Sequence, residues 1–352
     1  MSRFIQLHLL TSYPPANLNR DDLGRPKTAM MGGEPRLRVS SQSLKRAWRT
    51  SDVFADGLKG NIGVRTKEMG VRVFKQLRDK DINKKKAMDW AKHIAGEFGK
   101  LKKTNNDEEL QELEIEQLTH FSPEEERAIH DLVEILLERG SGPEAEELKL
   151  LRQHHTAADI ALFGRMLASK PLYNTEAATQ VAHAISVHSV VVEDDFFTAV
   201  DDLNDGKDDA GAAHMGETEF AAGLFYLYLC IDKELLIKNL SGDEELANKT
   251  LQALIESAAT VSPTGKQNSF ASRARASYIL CETGDQQPRS LAVAYLKPTR
   301  RGDMLNSAIT QLTTTYENMD KVYGACAEKR CTMNVETVEG SLKAIIQCAL
   351  EA

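Results

Sequence analysis

The sequence predicts an α+β protein in which a ferredoxin-like, RRM-like order of strands and helices is broken by one large helical insertion. Three observations carry this. With the insertions set aside, apolar periodicity gives strand, helix, strand, strand, helix, strand. Residues 65–103 hold thirteen Lys/Arg against five acids, whereas 107–147 hold fifteen acids against two arginines. A separately folded helical segment explains that split better than a continuing sheet does. Finally, 352 residues at 41% apolar can bury a large core, either one domain with insertions or two domains. An RRM-like sheet is a common RNA platform, but fold class alone fixes no function.

Along the chain, Arg3 to Thr11 alternates with Ile5, Leu7 and Leu9 on one face, a strand pattern. Arg36 to Val39 alternates again. Ser40 and Ser41 then offer N-caps for a helix over Ser43 to Phe54, with Leu44, Ala47, Trp48 and Ser51 on one side. Helical patterns continue from Ile62 to about Met166. Ser122-Pro123-Glu124-Glu125 starts the plainest helix, with Ser as N-cap, Pro at N1 and a capping-box Glu at N3, and Gly140 stops it. Ala184 to Glu193 and Glu219 to Asp232 read as strands separated by a polar excursion over 194–218. Asp243 to Val261 is helical, Ser277–Glu282 and Arg289–Leu296 are strands, and Gly302–Tyr323 is helical.

No run of eighteen apolar residues is present, so no membrane span is expected. The start MSRFIQLHLLTS alternates and lacks a cleavage pattern, so it reads as a strand and not as a signal peptide. The five cysteines (Cys230, Cys281, Cys326, Cys331, Cys348) are odd in number and scattered, which predicts reduced thiols and a cytoplasmic protein.

Charge is unevenly placed. Residues 1–49 hold nine Lys/Arg against three acids, a net +6, while the remaining 35 basic and 49 acidic residues give −14. This suggests a polyanion-facing segment on an acidic body, although the same bases could pair with the chain's own acids. Local chemistry adds to the first alternative. Lys45 and Arg49 are four apart and share a helix face, with Arg46 beside them. Ser40, Ser41 and the first helical N–H groups sit at the positive end of the helix, and Gly32-Gly33 lets backbone approach a phosphate.

The segments NRDD (19–22), GGxxRxRVSSQSLKRA (32–47), GRM (164–166), AHAISVH (182–188), DDFFTAVDDL (194–203) and AHMGETEFAAGLFY (213–226) together resemble one family. It is the CasC-type backbone subunit of type I-E Cascade, a CRISPR surveillance complex. The resemblance is strong over 1–54 and 155–232, weak over 59–150 and loose after 260. It implies a palm in pieces (1–58, 181–193 and 219–352), helical fingers over 59–180, and a β-hairpin thumb over 194–218. A non-catalytic, guide-RNA (crRNA)-binding function is implied, with copies assembling head-to-tail along the guide. Target DNA would be recognised by pairing with the guide. Implied partners are crRNA, target DNA, further copies of the chain and the other Cascade subunits, with no membrane, cofactor or metal.

By the same resemblance Arg20, Lys27, Ser40, Gln42, Lys45, Arg46 and Arg49 hold the guide backbone, contacts that position RNA without reading its sequence. Arg49 stands where relatives can carry Lys, which keeps the charge and changes the fork geometry. Arg165 and Met166 complete the RNA set, Met166 as an apolar wedge against a base. A lone Met is ordinarily core. Phe196, Phe197, Val200 and Leu203 form the thumb's apolar face, to be covered by a base, a neighbouring copy or the chain's own core. Lys100, Lys102 and Lys103 would meet DNA or simply be solvated.

Catalytic constellations are not found. The pairs Asp21-Asp22, Asp194-Asp195, Asp201-Asp202 and Asp208-Asp209 invite a two-metal nuclease, as in a target-cleaving RNase backbone of the type III kind, yet adjacent acids on a strand face opposite ways. His183 and His188 miss ligand spacing, His154-His155 point apart on a helix, Ser41 to Leu44 misses S-x-x-K, and Thr260 to Lys266 lacks the first Gly of a P-loop. A generic single-strand RNA-binding protein remains the other alternative.

Overall fold

The computed structural model describes residues 2–103, 110–199, 214–300 and 302–352. Its strands are β1 (Phe4–Ala16), β2 (Thr28–Met31), β3 (Glu34–Val39), β4 (Val64–Thr66), β5 (Thr119–Phe121), β6 (Thr179–Val181), β7 (Ala184–Ser186), β8 (Glu193–Ala199), β9 (His214–Asp232), β10 (Ala276–Gly284) and β11 (Lys329–Asn334). Its helices are α1 (Ser41–Arg49), α2 (Asp52–Gly57), α3 (Met69–Asp79), α4 (Lys84–Gly96), α5 (Pro123–Arg139), α6 (Ala158–Phe163), α7 (Lys233–Asn239), α8 (Glu244–Thr260), α9 (Gln267–Phe270), α10 (Met304–Tyr323) and α11 (Leu342–Leu350). The chain divides into two compact units. One comprises Met1–Phe54, Gln180–Ile231 and Leu251–Ala352, the other Ala55–Thr179 and Asp232–Thr250.

A large antiparallel sheet organises the first unit in the order β11-β10-β1-β9-β7-β3-β2, with β6 and β8 also paired to β9. In β1 Ile5, Leu7 and Leu9 are buried as expected, but so are Gln6, His8 and Leu10, so this stretch is covered on both faces. One apolar cluster joins Leu10, Leu224, Tyr226, Leu280, Tyr295 and Leu312. The β2–β3 turn needs its glycines, because Gly32 and Gly33 have φ of +63° and +83°. A Cβ on Gly32 would also lie 1.7 Å from the Leu296 carbonyl oxygen.

The second unit is helical around Trp90, Phe98, Phe121, Ile129 and Leu136, with the small β4–β5 pair beside them. Its plainest signature is met atom for atom. Ser122 Oγ accepts from Glu125 N at 3.2 Å, Glu125 Oε2 accepts from Ser122 N at 2.9 Å, and Gly140 closes α5 at φ +69°.

Four expectations are corrected. The helix expected over Ser43 to Phe54 is two helices, because Thr50 Oγ1 and Ser51 Oγ donate to the Arg46 and Trp48 carbonyls and Ser51 Oγ then accepts from Phe54 N. The strand expected from Ala184 to Glu193 stops at Ser186, where the His188 ring Nε2 accepts from Leu224 N at 3.2 Å in place of a backbone carbonyl. Arg289–Leu296 is not a strand but a loop ending in a short 3₁₀ turn (Ala292–Tyr295). Its donors are taken by side chains: Arg289 N donates to Gln6 Oε1 and Leu291 N to Tyr226 Oη. The cysteines are not all free thiols, since Cys331 on β11 and Cys348 on α11 form a disulfide. Among the described residues no helix is long and apolar enough to cross a membrane.

Candidate nucleic-acid interface

In the first unit the basic segment is built around two asparagines. Buried Asn17 donates through Nδ2 to the carbonyls of Gly24 (2.9 Å) and Glu219 (3.0 Å), curling the loop that follows β1. Inside that loop Asp21 Oδ1 accepts from Leu23 N and Arg25 N, both at 2.9 Å. Asp21 therefore shapes a turn, the bland explanation of its acid pair. Asn19 then acts in two directions. Its carbonyl accepts from Lys27 N at 2.8 Å and its Oδ1 accepts from Ser40 N at 2.9 Å. Lys27 in turn accepts from Arg38 N at 2.8 Å, so loop, β3 and the start of α1 are tied together. Asn19 heads the NRDD segment, but nothing in its spacing predicts this bridging role.

Helix α1 buries Leu44, Ala47 and Trp48. That leaves Gln42 and Arg46 exposed and Lys45 and Arg49 half-buried on the remaining faces, while Arg20 is exposed and Lys27 half-buried on the loop. Ser40 is 8% exposed and its Oγ accepts from Ser43 N at 3.3 Å, so its hydroxyl is the helix cap. Burial lowers the Lys45 pKa from its ordinary value. Arg38 Nη1 donates to His183 Nδ1 at 2.9 Å. Burial first, and then the charges of Arg38 and Lys27, hold the His183 imidazolium below its usual range, so the ring stays neutral between two cations. Arg36, by contrast, is fully buried and donates to the Ser186 and Tyr295 carbonyls. Beside His183 a cavity of about 180 Å³ is lined by Met31, Ile185, Tyr226 and Tyr295.

Strands β8 and β9 pair antiparallel, from Glu193↔Phe220 to Ala199↔His214. Phe197 lies opposite Gly216, where a Cβ would sit 2.5 Å from its ring, so the missing side chain makes room for the aromatic. Phe196, one residue earlier and on the other face, is 61% exposed opposite Glu217. Asp194 and Asp195 point to opposite faces of the ladder. Val200 and Leu203, and the pairs Asp201-Asp202 and Asp208-Asp209, lie outside the described residues.

In the second unit α6 ends at Gly164, with φ +80°, and Arg165 exchanges backbone hydrogen bonds with Thr175 at 3.0 and 2.9 Å. Met166 stands out at 76% exposed. It borders a cavity of about 280 Å³ also lined by Phe98, Lys100, Leu118 and Leu167, so Met166 and Lys100 share one concavity. Lys100 pairs with Glu116 at 3.0 Å, Lys102 with Glu114 at 2.5 Å, and Lys103 is exposed. The exposed Lys100–Glu116 pair costs little to open toward another anion, whereas the Lys102–Glu114 pair is half-buried.

Arg165 is not placed as a surface RNA contact. Its side chain is 1% exposed and pairs with the fully buried Glu125 at 2.6 Å. It also donates to the carbonyls of His120, Arg152 and Tyr173. Arg165 anchors the loop that presents Met166. Among the described residues no cluster of His, Cys, Asp and Glu could hold a metal ion.

A family model described as "CT1975-like protein" matches residues 5–350. No curated protein matches the chain. Among solved structures, a chain of a "CRISPR RNA-guided surveillance complex, pre-nicking" superposes with a TM-score of 0.85 at 29% identity, each chain covering 99% of the other. A chain of a "CRISPR RNA-guided surveillance complex" superposes with a TM-score of 0.62 at 25% identity, covering 99% of this chain and 98% of that one.

Proposed function

The chain belongs to the CT1975-like protein family, and from that premise we propose that it is a non-catalytic, crRNA-binding backbone subunit of a CRISPR surveillance complex. The observation that carries the proposal is the Asn19 tie, which sets the cations of the 19–27 loop and those of α1 on one framework. Arg20, Lys27, Lys45, Arg46 and Arg49 then track RNA phosphates, and Gln42 adds a neutral hydrogen-bonding group. Contacts of this kind ignore sequence, as a subunit accepting any spacer must.

The finer parts of the proposal are of the type I-E kind. The large sheet is the palm, a ferredoxin-like or RRM-like element with extra strands. The helical unit is the fingers, with Met166 wedging against a guide base and the adjoining cavity receiving what the wedge displaces. The β8–β9 ladder is the base of a thumb, with exposed Phe196 turned toward a neighbouring copy. Copies assemble head-to-tail, and bases between the wedges pair with target DNA. A target-cleaving backbone is disfavoured by Asp21, whose Oδ1 accepts from two turn amides and so has a structural role.

The test is to co-express the chain with a repeat-spacer RNA and the other complex subunits and to measure particle mass and bound RNA. Wild type should yield a large ribonucleoprotein with uniform RNA, and Lys45→Ala/Arg49→Ala should lose or weaken it. RNA-free wild-type protein in the presence of all partners would end the proposal. Mg²⁺-dependent RNA cleavage abolished by Asp21→Ala would replace it with the nuclease.

A further inference from the structure

The C-terminal sheet edge carries a covalent feature that guide binding does not use. Cys331 and Cys348 join β11 to α11, and Cys281 on β10 lies directly opposite Cys331 in the antiparallel register. The neighbouring register pair is Glu282↔Arg330, which faces the other side of the sheet. The two faces are thus secured by different means. On one, Arg330 Nε donates to Glu282 at 2.7 Å and its Nη2 forms an ion pair with Asp320 at 2.7 Å, with the guanidinium 4.6 Å from the Tyr316 ring centre. On the other, α11 is seated by Ile345, Cys348 and Ala349.

We propose that the Cys331–Cys348 bond is a reversible thiol modification site, a clasp whose reduction by a dithiol releases α11 while leaving β11 in the sheet. The asymmetry follows from what remains after reduction. β11 keeps its whole ladder to β10 and the Arg330 ion pairs. α11 keeps buried Ile345 and Ala349, half-buried Leu342, Ile346 and Leu350, the buried Ala352 beyond its end and an exposed Lys329–Glu351 pair, but no ladder and no buried ion pair among these contacts. A helix of nine residues is too short to persist without docking.

The chemistry balances. A dithiol's thiolate attacks Sγ of Cys331, which is half-exposed, and the S–S electron pair leaves on Sγ of buried Cys348, which takes a proton. The dithiol's second thiolate then attacks the mixed disulfide and frees Cys331, which is protonated in turn. Two electrons and two protons reach the protein, and the dithiol becomes a disulfide. Cys281 stays a spectator. Burial, and then the charge of Glu282, pushes its thiol up to about 12, so it supplies almost no thiolate to reshuffle the bond.

The experiment treats full-length protein with glutathione disulfide or with dithiothreitol. Deuterium exchange is followed in peptides spanning β10, β11 and α11. The double variant Cys331→Ser/Cys348→Ser is measured without either reagent. Exchange in 342–350 should quicken by at least about tenfold in reduced protein and in the variant, while 276–284 and 329–334 stay within about twofold. Three outcomes would overturn the proposal: five alkylatable thiols after glutathione disulfide, no change in 342–350, or loosening of all three segments together. None of them bears on guide binding, which the RNA co-expression experiment tests separately.

Discussion

Replacing Arg165 with alanine separates a positioning role from a direct RNA contact. The substitution leaves the fully buried Glu125 carboxylate without its cation, a change that costs about 3–5 kcal/mol when a buried pair is broken. Three carbonyls (His120, Arg152, Tyr173) lose a donor as well, each worth about 1 kcal/mol. Glu125 still accepts from Ser122 N and Arg152 N, and water entering the vacated space replaces part of the loss. The net expectation is on the order of 4 kcal/mol. With a urea slope of about 2 kcal/mol/M, the midpoint falls by about 2 M.

The assay uses the two tryptophans. Trp90 is buried in the helical unit and Trp48 in the sheet unit. Trp48→Phe makes Trp90 the sole indole and removes an N–H that has no partner. In that background Met166→Ala should leave the urea midpoint within about 0.3 M, since an exposed side chain carries little stability, and should instead weaken RNA binding. An Arg165→Ala midpoint shift below about 0.5 M, together with a salt slope reduced by about 0.7, would refute the anchoring role and restore Arg165 as a phosphate ligand.

Three further outcomes are expected. Lys45→Ala/Arg49→Ala should reduce the slope of log affinity against log salt by about 1.4, and a drop in affinity at unchanged slope would mean these residues meet no phosphate. Gly32→Ala, which drives a Cβ into the Leu296 carbonyl, should cost more than about 2 kcal/mol, whereas Gly33→Ala, with open space around it, should cost about 1 kcal/mol; equal thermal shifts would contradict the close approach. Burial, and then the Arg165 charge, lowers the His155 pKa to about 4. Its contribution is therefore complete above the unfolded value near 6.5 and is lost as pH falls from there toward 4, by at most about 3 kcal/mol. His155→Gln should flatten the urea midpoint over that pH window.

What the sequence showed and what it hid divide along a physical line. Signals whose partners lie within a few residues were legible: the Ser122/Glu125 capping box, the Gly140 stop, and the strand pattern of Ile5, Leu7 and Leu9. The cations of 20–49 were legible as composition and spacing. Arg289–Leu296 has a strand's composition, but Gln6 and Tyr226, far away in sequence, take its donors. Arg165 beside an exposed Met looked like a surface charge because its partner is forty residues distant and already employed as a helix cap. Cys331 and Cys348 looked scattered because the β11–α11 turn that brings them together has no pattern of its own.

The double engagement of Asn19 has a consequence for how a polyanion is measured out. The distance between the loop cations and the helix cations is set by hydrogen bonds formed during folding, before any RNA arrives. Little backbone freedom remains to be lost on binding, so the strand must adapt to the protein and not the reverse. If copies assemble along a guide as proposed, that fixed spacing would make the subunit a ruler. The guide's length in nucleotides would then follow from how many rulers are laid end to end, whatever the bases say.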